Sequence, residues 1–451
     1  MKKETLGKKI QKARKAKGYS QGDLASLVGT RRSNISRIES DKQNVSFFMV
    51  SEIASALDMG IQIDFVNIDK TKYFLKQYDT PLLSFEMNTD KLEGLKISNI
   101  KIVGDKRLLP LDLTVNNKGL ADWLRKRVIP KNRDHVNEIL QSLGLTINDT
   151  KGIIDVCKGL SLNDSYWICD ENFKGSFKQY NLYENHFNKV LALVAYTGIY
   201  NTKRAFTTSP ELTTHGMLPK AWRFIDGDGI YLYKGGSSGA SNSGREPYIE
   251  YYASQIAKAM ELDYVDYDIE KWKGILASKC KLFTDINTSY IPIGRIVKTG
   301  GIKKVLSYYN SLGKEFSNQI RDMLVFDALI FNEDRHFGNF GVLIDNKTNK
   351  ITKPAPIFDN GLSLLCYHAK NKTSYNQLLE YSKTRMSSYG TSFDDVYSEV
   401  VTQRQKNKLK KIIGFKFKRH SKYNLPDKYL VNMEKLIHER VQFLLNNKAN
   451  K

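Results

Sequence analysis

The 451-residue sequence predicts an α+β protein: an all-helical head, then a larger body in which short strands lead into a mainly helical C-terminal part. Three observations predict this. Apolar residues recur at helical spacing in four short stretches between residues 5 and 66. Runs such as Trp222-Arg-Phe224 and Ile230-Tyr-Leu-Tyr-Lys234, separated by the turn Asp226-Gly-Asp-Gly229, read as strands. At Ile320, Met323, Leu324 and Ala328 the spacing returns to that of a buried helix. Changes of pattern divide the chain into a head over 1–68, then segments 69–200, 201–285 and 286–451.

In the head, Leu6, Ile10 and Ala13 make one stripe, Leu24, Ala25 and Val28 a second, Ile35 and Ile38 a third, and Val50, Ile53, Ala54 and Leu57 a fourth. Ser20 stands as an N-cap before Gln21-Gly-Asp-Leu-Ala, Asp23 occupies the capping-box position, and Gly29 closes that helix. A short turn then starts another helix near Arg31, which makes a helix-turn-helix. The second helix of such a motif enters the major groove, and here it opens with Arg31, Arg32, Ser33, Asn34 and Arg37, all hydrogen-bond donors. Up to Val45 there are twelve Lys and Arg, among them Arg14, against Glu4, Asp23, Glu39 and Asp41, a net of +8 that suits phosphate contact. Ser20-Gln-Gly-Asp-Leu-Ala and Ser33-Asn-Ile-Ser-Arg-Ile-Glu39 resemble the lambda-repressor/Cro or XRE class of DNA-binding domains. The resemblance implies that Gln21 and the Arg31 to Arg37 face contact operator DNA, that two copies meet on it, and that Glu39 stabilises the fold instead.

The pattern changes around Asn67 to Thr71, with strands or a linker expected over Ile61 to Ile68 and Tyr73 to Leu75. Leu82 to Leu113 reads as a small sheet with Pro81 and Pro110 as breaks, Leu120 to Val128 and Val136 to Leu143 as helices, and Gly144 as a stop. Gly159 to Ile168 reads as a polar and aromatic insert, either a substrate surface or a lid, and Tyr180 to Tyr200 as a stretch closing with a buried helix. Farther on, Glu250 to Leu262 is an amphipathic helix, and Tyr264 to Tyr267 and Gly274 to Phe283 are strands.

The richest chemistry lies in Phe326-Asp-Ala-Leu-Ile-Phe-Asn-Glu-Asp-Arg-His-Phe-Gly-Asn-Phe-Gly341 and Pro354-Ala-Pro-Ile-Phe-Asp-Asn-Gly361. A helix delivers Asn332, Asp334 opens a loop, and Asn339 follows five residues later. Val342 to Ile344, a polar turn and Ile357-Phe358 read as a hairpin ending before Asp359. Phosphoryl transfer needs an acid to orient the attacking hydroxyl and oxygen ligands to hold magnesium on a triphosphate, and Asp334, Asn339 and Asp359 supply that set in that order. The plain alternative makes Asp334 a turn cap, Asn339 a left-handed backbone position and Asp359-Asn-Gly361 an ordinary turn, and it leaves the common register of all three unexplained. Lys234, ending an apolar strand, matches a phosphate-gripping lysine.

These motifs, Asn332 to Gly341 and Phe358-Asp-Asn-Gly361, resemble those of HipA-type serine/threonine kinases, a family of bacterial toxin kinases and their relatives. The resemblance implies a bilobal kinase-like body that uses ATP and Mg2+, with Asp334 as catalytic base and Asn339 and Asp359 as metal ligands. It implies a nucleotide-binding lobe over 201–285 with Lys234 on the phosphates and Thr207 to Lys220 as the phosphate-side loop, although that loop holds a single glycine, Gly216. Glu250 is then the helix acid that pairs with Lys234, with Glu246 competing, and Lys220 and Phe283 complete the ATP-binding set. Phosphorylation of Ser209, or of Thr208 or Thr213 beside it, is the regulatory modification expected by resemblance. Gly235 to Gly244 reads as a mobile connection.

With 41% hydrophobic and 11% aromatic residues the chain can bury a large core, and its net charge of +22 favours polyanionic partners. Four scattered cysteines exclude a zinc site or disulfide framework and fit reduced thiols in a cytoplasm. The first residues lack a secretory apolar segment, and Val190 to Tyr200 is too short to span a bilayer, so no membrane contact is expected. From Arg404 to Lys422 nine cations run without an acid, either a solvated face or a second polyanion contact. The sequence thus reads as a cytoplasmic kinase acting on a protein, such as a translation component, with a fused and autoregulatory DNA-binding head. A repressor with a nucleotide-sensing body and a kinase for a lipid or small-molecule hydroxyl are the alternatives.

Overall fold

The computed structural model describes residues 4–43, 45–61, 71–90, 94–199, 208–240, 242–369 and 374–446. The strand-or-linker expectation over Ile61 to Ile68 therefore falls almost wholly outside the described residues, as do Thr207 and Tyr200. The chain divides into two compact units, 1–69 and 70–451.

The first unit is four helices: α1 (Leu6–Ala16), α2 (Gln21–Leu27), α3 (Arg32–Glu39) and α4 (Phe47–Ala56). Thr5, Ser20 and Ser46 each accept a hydrogen bond from the amide three residues on, which satisfies donors a helix start leaves open. Asp23 returns the bond to Ser20, completing the capping box, and Gly29 takes the left-handed backbone conformation that follows α2. Leu24, Ile35, Ile53 and Leu57 form the buried centre. Arg14 corrects the charge reading: it is buried, with Nη2 2.9 Å from the Glu39 carboxylate, and holds the fold instead of facing phosphate.

The second unit begins with a four-stranded antiparallel sheet of order β3-β2-β1-β4, from β1 (Lys72–Gln77), β2 (Thr80–Asp90), β3 (Gly94–Ile102) and β4 (Tyr166–Asp170). Pro81 is no break. It sits inside β2 opposite Lys76, where a register shift accommodates its missing N–H. Helices α5 (Asn117–Arg125), α6 (Val136–Ser142) and α7 (Thr150–Cys157) cover the sheet through Leu120, Leu124, Ile139 and Ile153. The stretch expected as a surface insert or lid is instead core. Tyr166 to Asp170 forms β4, and Trp167 is fully buried against Phe173, Phe177 and Tyr180. A short helix α8 (Phe177–Tyr180) precedes the buried α9 (Lys189–Thr197), which is shorter than the apolar run suggests because Gly198 turns the chain.

A second antiparallel sheet of order β5-β6-β8-β7 follows, from β5 (Lys220–Ile225), β6 (Gly229–Gly235), β7 (Tyr267–Trp272) and β8 (Ile275–Lys281). The helix α10 (Glu246–Ala259) packs against it, starting one turn earlier than the sequence pattern indicates because Pro247 is well placed in a first turn. The remaining chain is mainly helical. It holds β9 (Thr288–Pro292), α11 (Ile293–Ile296), α12 (Gly301–Leu312), the buried α13 (Lys314–Ile330), β10 (Gly341–Asp345), β11 (Lys350–Pro354), α14 (Tyr375–Lys383), α15 (Phe393–Val400), α16 (Gln403–Lys410) and α17 (Asp427–Asn446). The hairpin after Asn339 is real, but its second strand is β11. Ile357 makes an isolated bridge to Tyr264, and the strand expected over Tyr264 to Tyr267 starts only at Tyr267, as β7. Gly341 must lack a side chain, since a Cβ there would lie 2.0 Å from the Ile291 carbonyl oxygen.

Part of the C-terminal cation run is committed to ion pairs. Arg404 and Lys408 pair with Asp322, Lys411 with Glu261, and Arg419 with Glu434. Four of the nine thus brace helices instead of standing as a bare polyanion surface.

Replacing Trp167 with Ala should cost about 3 kcal/mol or more and lower the thermal midpoint of the second unit. An unchanged midpoint in a melting experiment would contradict its place in the core.

Candidate functional site

The site starts from α13, whose apolar faces are buried and whose only route onward is the loop 331–340. Phe331 takes a left-handed conformation that stops the helix. Asn332 then donates to Asp327 on α13 at 2.9 Å and accepts from the Asp334 amide at 3.2 Å. Asn339 donates its side-chain N–H to the Asp334 carbonyl at 3.0 Å, leaving Oδ1 as the free oxygen. The loop is thus bonded to itself at both ends.

Arg335 ties this loop to the second motif. Its guanidinium lies 1% exposed, donates twice to Asp327 at 3.0 Å, and donates to the Asn339 carbonyl at 3.1 Å. The same group donates to the Phe358 carbonyl and to the Asn360 side chain, which flank Asp359. Asp359 sits between them at φ 56°, its amide donating to the Tyr267 hydroxyl at 3.1 Å.

Lys234 on β6 closes the arrangement from the other sheet. Its ammonium binds Asp359 directly and lies 3.1 Å from Glu250 on α10, whose second oxygen accepts from the Asn360 amide at 2.8 Å. Glu250 therefore takes the pairing role that the sequence left open, while Glu246 accepts from the Ser237 amide instead. Lys220 stands directly across from Lys234 in the β5–β6 pairing. Its ammonium donates to the His215 carbonyl at 3.0 Å.

The electrostatics follow from crowding charge in a poorly hydrated place. Burial pushes the Asp334 carboxyl up, and the nearby Asp359 carboxylate adds to the rise. Burial alone would also raise Asp359, but the Lys234 ammonium overrides it and holds that carboxyl well below the usual range. Burial lifts Glu250 to about 7 in spite of Lys234, with Asp359 adding to the lift. The two carboxylates thus share one ammonium unequally, and the less enclosed Asp359 keeps the charge. Lys234 stays charged against the cost of burial because Asp359 and then Glu250 face it. Burial, then the Lys234 and Arg133 charges, push Lys220 down to about 7.

The segment 208–220 is seated, not loose. Ser209 and Thr213 are 1% and 4% exposed, and Thr208 is half-buried. Ser209 caps the turn Pro210–Leu212 and Thr213 donates to the Pro210 carbonyl at 3.3 Å, so modification of either hydroxyl requires the segment to leave its place. Gly216 is needed where it stands, at φ +95° with a notional Cβ 2.2 Å from the Lys220 ammonium. Phe283 packs on Phe358 and Tyr290, with ring centroids 5.3 and 5.4 Å away, directly before Asp359.

The available donors at Asn339 and Asp359 are oxygens, the set a hard cation such as Mg2+ takes, and too few to hold it without phosphate oxygens. Among the described residues no group of three or more His, Cys, Asp or Glu could hold a metal ion by itself. Sequence reasoning missed Arg335, Asp327, Arg133 and Glu211. Asp327 was detectable as a charge inside the apolar run Phe326 to Phe331, which cannot be buried unpaired, and Arg335 eight residues on is the partner it takes.

In the first unit, Arg31, Arg32, Ser33 and Arg37 are exposed on or beside α3. Asn34 is half-buried and donates to Thr30 at 3.0 Å. Gln21 is engaged within the fold, donating to Glu39 at 2.9 Å.

A helix-turn-helix family model matches residues 10–63, so the chain carries a helix-turn-helix head. No curated protein matches the chain. Among solved structures it is similar to the Helicobacter pylori proinflammatory kinase CtkA, at 18% identity over 50% of this chain and 92% of that one, with a TM-score of 0.41. It is also similar to a chain from the Shewanella oneidensis MR-1 toxin–antitoxin complex of HipA, HipB and operator DNA. That match has 11% identity over 83% of this chain and 100% of the other, with a TM-score of 0.47. Both are likenesses of fold alone. Among the described residues no helix is long and apolar enough to cross a membrane.

Lys220 binds its proton more weakly folded than unfolded, so its burial costs most stability below about pH 7 and progressively less as pH rises toward its ordinary value. Replacing Lys220 with Met should therefore raise the melting temperature of the nucleotide-free protein by several degrees at pH 7, and the gain should shrink toward pH 10. A gain that is absent at pH 7, or that does not shrink, would refute its placement beside Lys234.

Proposed function

We propose that the chain is an ATP- and magnesium-dependent serine/threonine protein kinase that also binds operator DNA through its head. The observation that carries this reading is the single buried network in which Lys234 binds Asp359 and Glu250 while Arg335 ties Asp359 to the Asp334–Asn339 loop. A lysine, a helix glutamate, a loop aspartate and amide, and a later aspartate are the positioning parts that phosphoryl transfer requires.

In this mechanism Lys234 and Lys220 hold the phosphates, and Asn339 and Asp359 are the residues that would hold a magnesium ion. The ion supplies charge neutralisation on the triphosphate. Asp334 orients the acceptor hydroxyl and takes its proton as the oxygen bonds to the γ-phosphorus and ADP leaves. A carboxyl whose pKa is raised is a better proton acceptor than an ordinary one. The acceptor is a protein hydroxyl, such as that of a translation component. Arg31, Arg32 and Arg37 are free to meet phosphate or base edges, and two heads on one operator would read two half-sites.

Changing Asp334 to Asn should lower transfer of labelled phosphate from ATP to proteins of a cell extract by about a hundredfold or more while leaving DNA affinity intact. Equal labelling by that variant would sink the assignment. Changing Arg37 to Ala should weaken DNA binding and reduce the dependence of log affinity on log salt by about one unit or less, checked by a salt titration of fluorescence anisotropy. No change in affinity or slope would remove α3 from the interface.

A further inference from the structure

We infer that Arg133 is the positioning residue that seats the phosphate-side loop, and with it Lys220, over the nucleotide site. What the loop grips rests on the kinase reading above; how the loop is held does not.

Arg133 lies between α5 and α6, far in sequence from the strands that carry the two lysines. Its guanidinium and the Glu211 carboxylate are fully enclosed and 2.7 Å apart. Beyond that pair, Nη1 donates to the carbonyls of Glu211 at 2.9 Å and Thr214 at 3.2 Å, and Nη2 donates to the Lys220 carbonyl at 2.8 Å. One side chain thus touches the start, the middle and the end of the loop. The other Glu211 oxygen accepts from the Trp222 amide at 2.8 Å, joining the start of the loop to the strand that leaves it. Two backbone sites nearby add ties: the Asp134 amide donates to the Met217 carbonyl, and the Lys126 carbonyl faces the His215 ring nitrogen, both at 2.8 Å.

This arrangement does what glycines do in a phosphate-cradling loop by other means. Carbonyls in a buried turn have no helix or sheet partner and need donors from elsewhere. A guanidinium offers five N–H groups in a rigid plane, whereas a lysine offers a point charge on a flexible stem. The clamp also fixes an unfavourable charge. Lys220 and Lys234 are directly opposed across two strands, and like charges in that position repel. With its own carbonyl held by Arg133 and its ammonium on His215, Lys220 stays where a polyanion would find two cations already placed.

The test is hydrogen exchange by mass spectrometry on the full chain, with Mg-ATP affinity measured alongside, for the parent, Arg133→Lys and Arg133→Met. Segment 209–220 should exchange about tenfold faster or more in both variants, α13 should be unchanged, and the Kd for Mg-ATP should rise about tenfold. Unchanged exchange in the loop overturns the inference, and so does faster exchange with unchanged affinity. If the Arg133 variants lose protection throughout α13, Glu211→Gln decides, because it keeps the shape and removes the charge. Loss confined to the loop in that variant, with weaker Mg-ATP binding, supports the inference, and no loss overturns it. Failure of the kinase reading looks different: the parent would not bind Mg-ATP, while loop exchange would still depend on Arg133.

Discussion

A single buried guanidinium organises the candidate site. Arg335 is enclosed on all sides, a state tolerable only because Asp327 meets it twice and three further oxygens take its remaining protons. Those oxygens belong to Asn339, Phe358 and Asn360. The loop that carries Asp334 and the turn that carries Asp359 are therefore held to the same point on α13, and neither can move alone. Removing the guanidinium would leave Asp327 charged and unpaired in the interior while freeing both motifs.

Around that fixed point the charges are left unbalanced in a way that invites a ligand. Two carboxylates compete for the Lys234 ammonium, and a second ammonium, Lys220, lies opposite with no carboxylate bonded to it among the described residues. A bound triphosphate with its cation would relieve both conditions at once: the phosphates would meet the lysines, and the cation would take Asp359 from Lys234. The surrounding fold imposes this arrangement, through Arg335 on one side and the Arg133–Glu211 pair on the other.

What the sequence made legible was local. The Ser20–Asp23 capping box and the turn at Gly29 were readable because a cap and its partner lie three residues apart. The Asp334–Asn339 spacing was readable for the same reason, since the bond between them closes within the loop. Glu250 was preferred to Glu246 by resemblance alone, because the two are one helical turn apart, and the packing of α10 against Asn360 separates them. The strand β11 was missed because most of its residues face solvent and show no apolar alternation, while Ile357 and Phe358 are apolar in order to pack against Tyr264 and Phe283. Trp167 read as a surface insert because polar neighbours surround it in sequence, whereas its burial comes from segments before and after it. Arg133 and Glu211 lie 78 residues apart, and no local pattern pairs them. Residues 1–69 were the easier part, since a small helical unit is specified almost entirely by caps and stripes.

The central claim is that Asp334, Asn339, Asp359 and Lys234 form one site for a metal-bound triphosphate. It is tested most directly by a crystal structure of the chain soaked with magnesium and a non-hydrolysable ATP analogue. The account predicts a cation between Asn339 Oδ1 and the Asp359 carboxylate, the phosphates against Lys234, and the γ-phosphate facing Asp334. A nucleotide bound elsewhere, or a site where Lys234 keeps its bond to Asp359 and no cation enters, would contradict it.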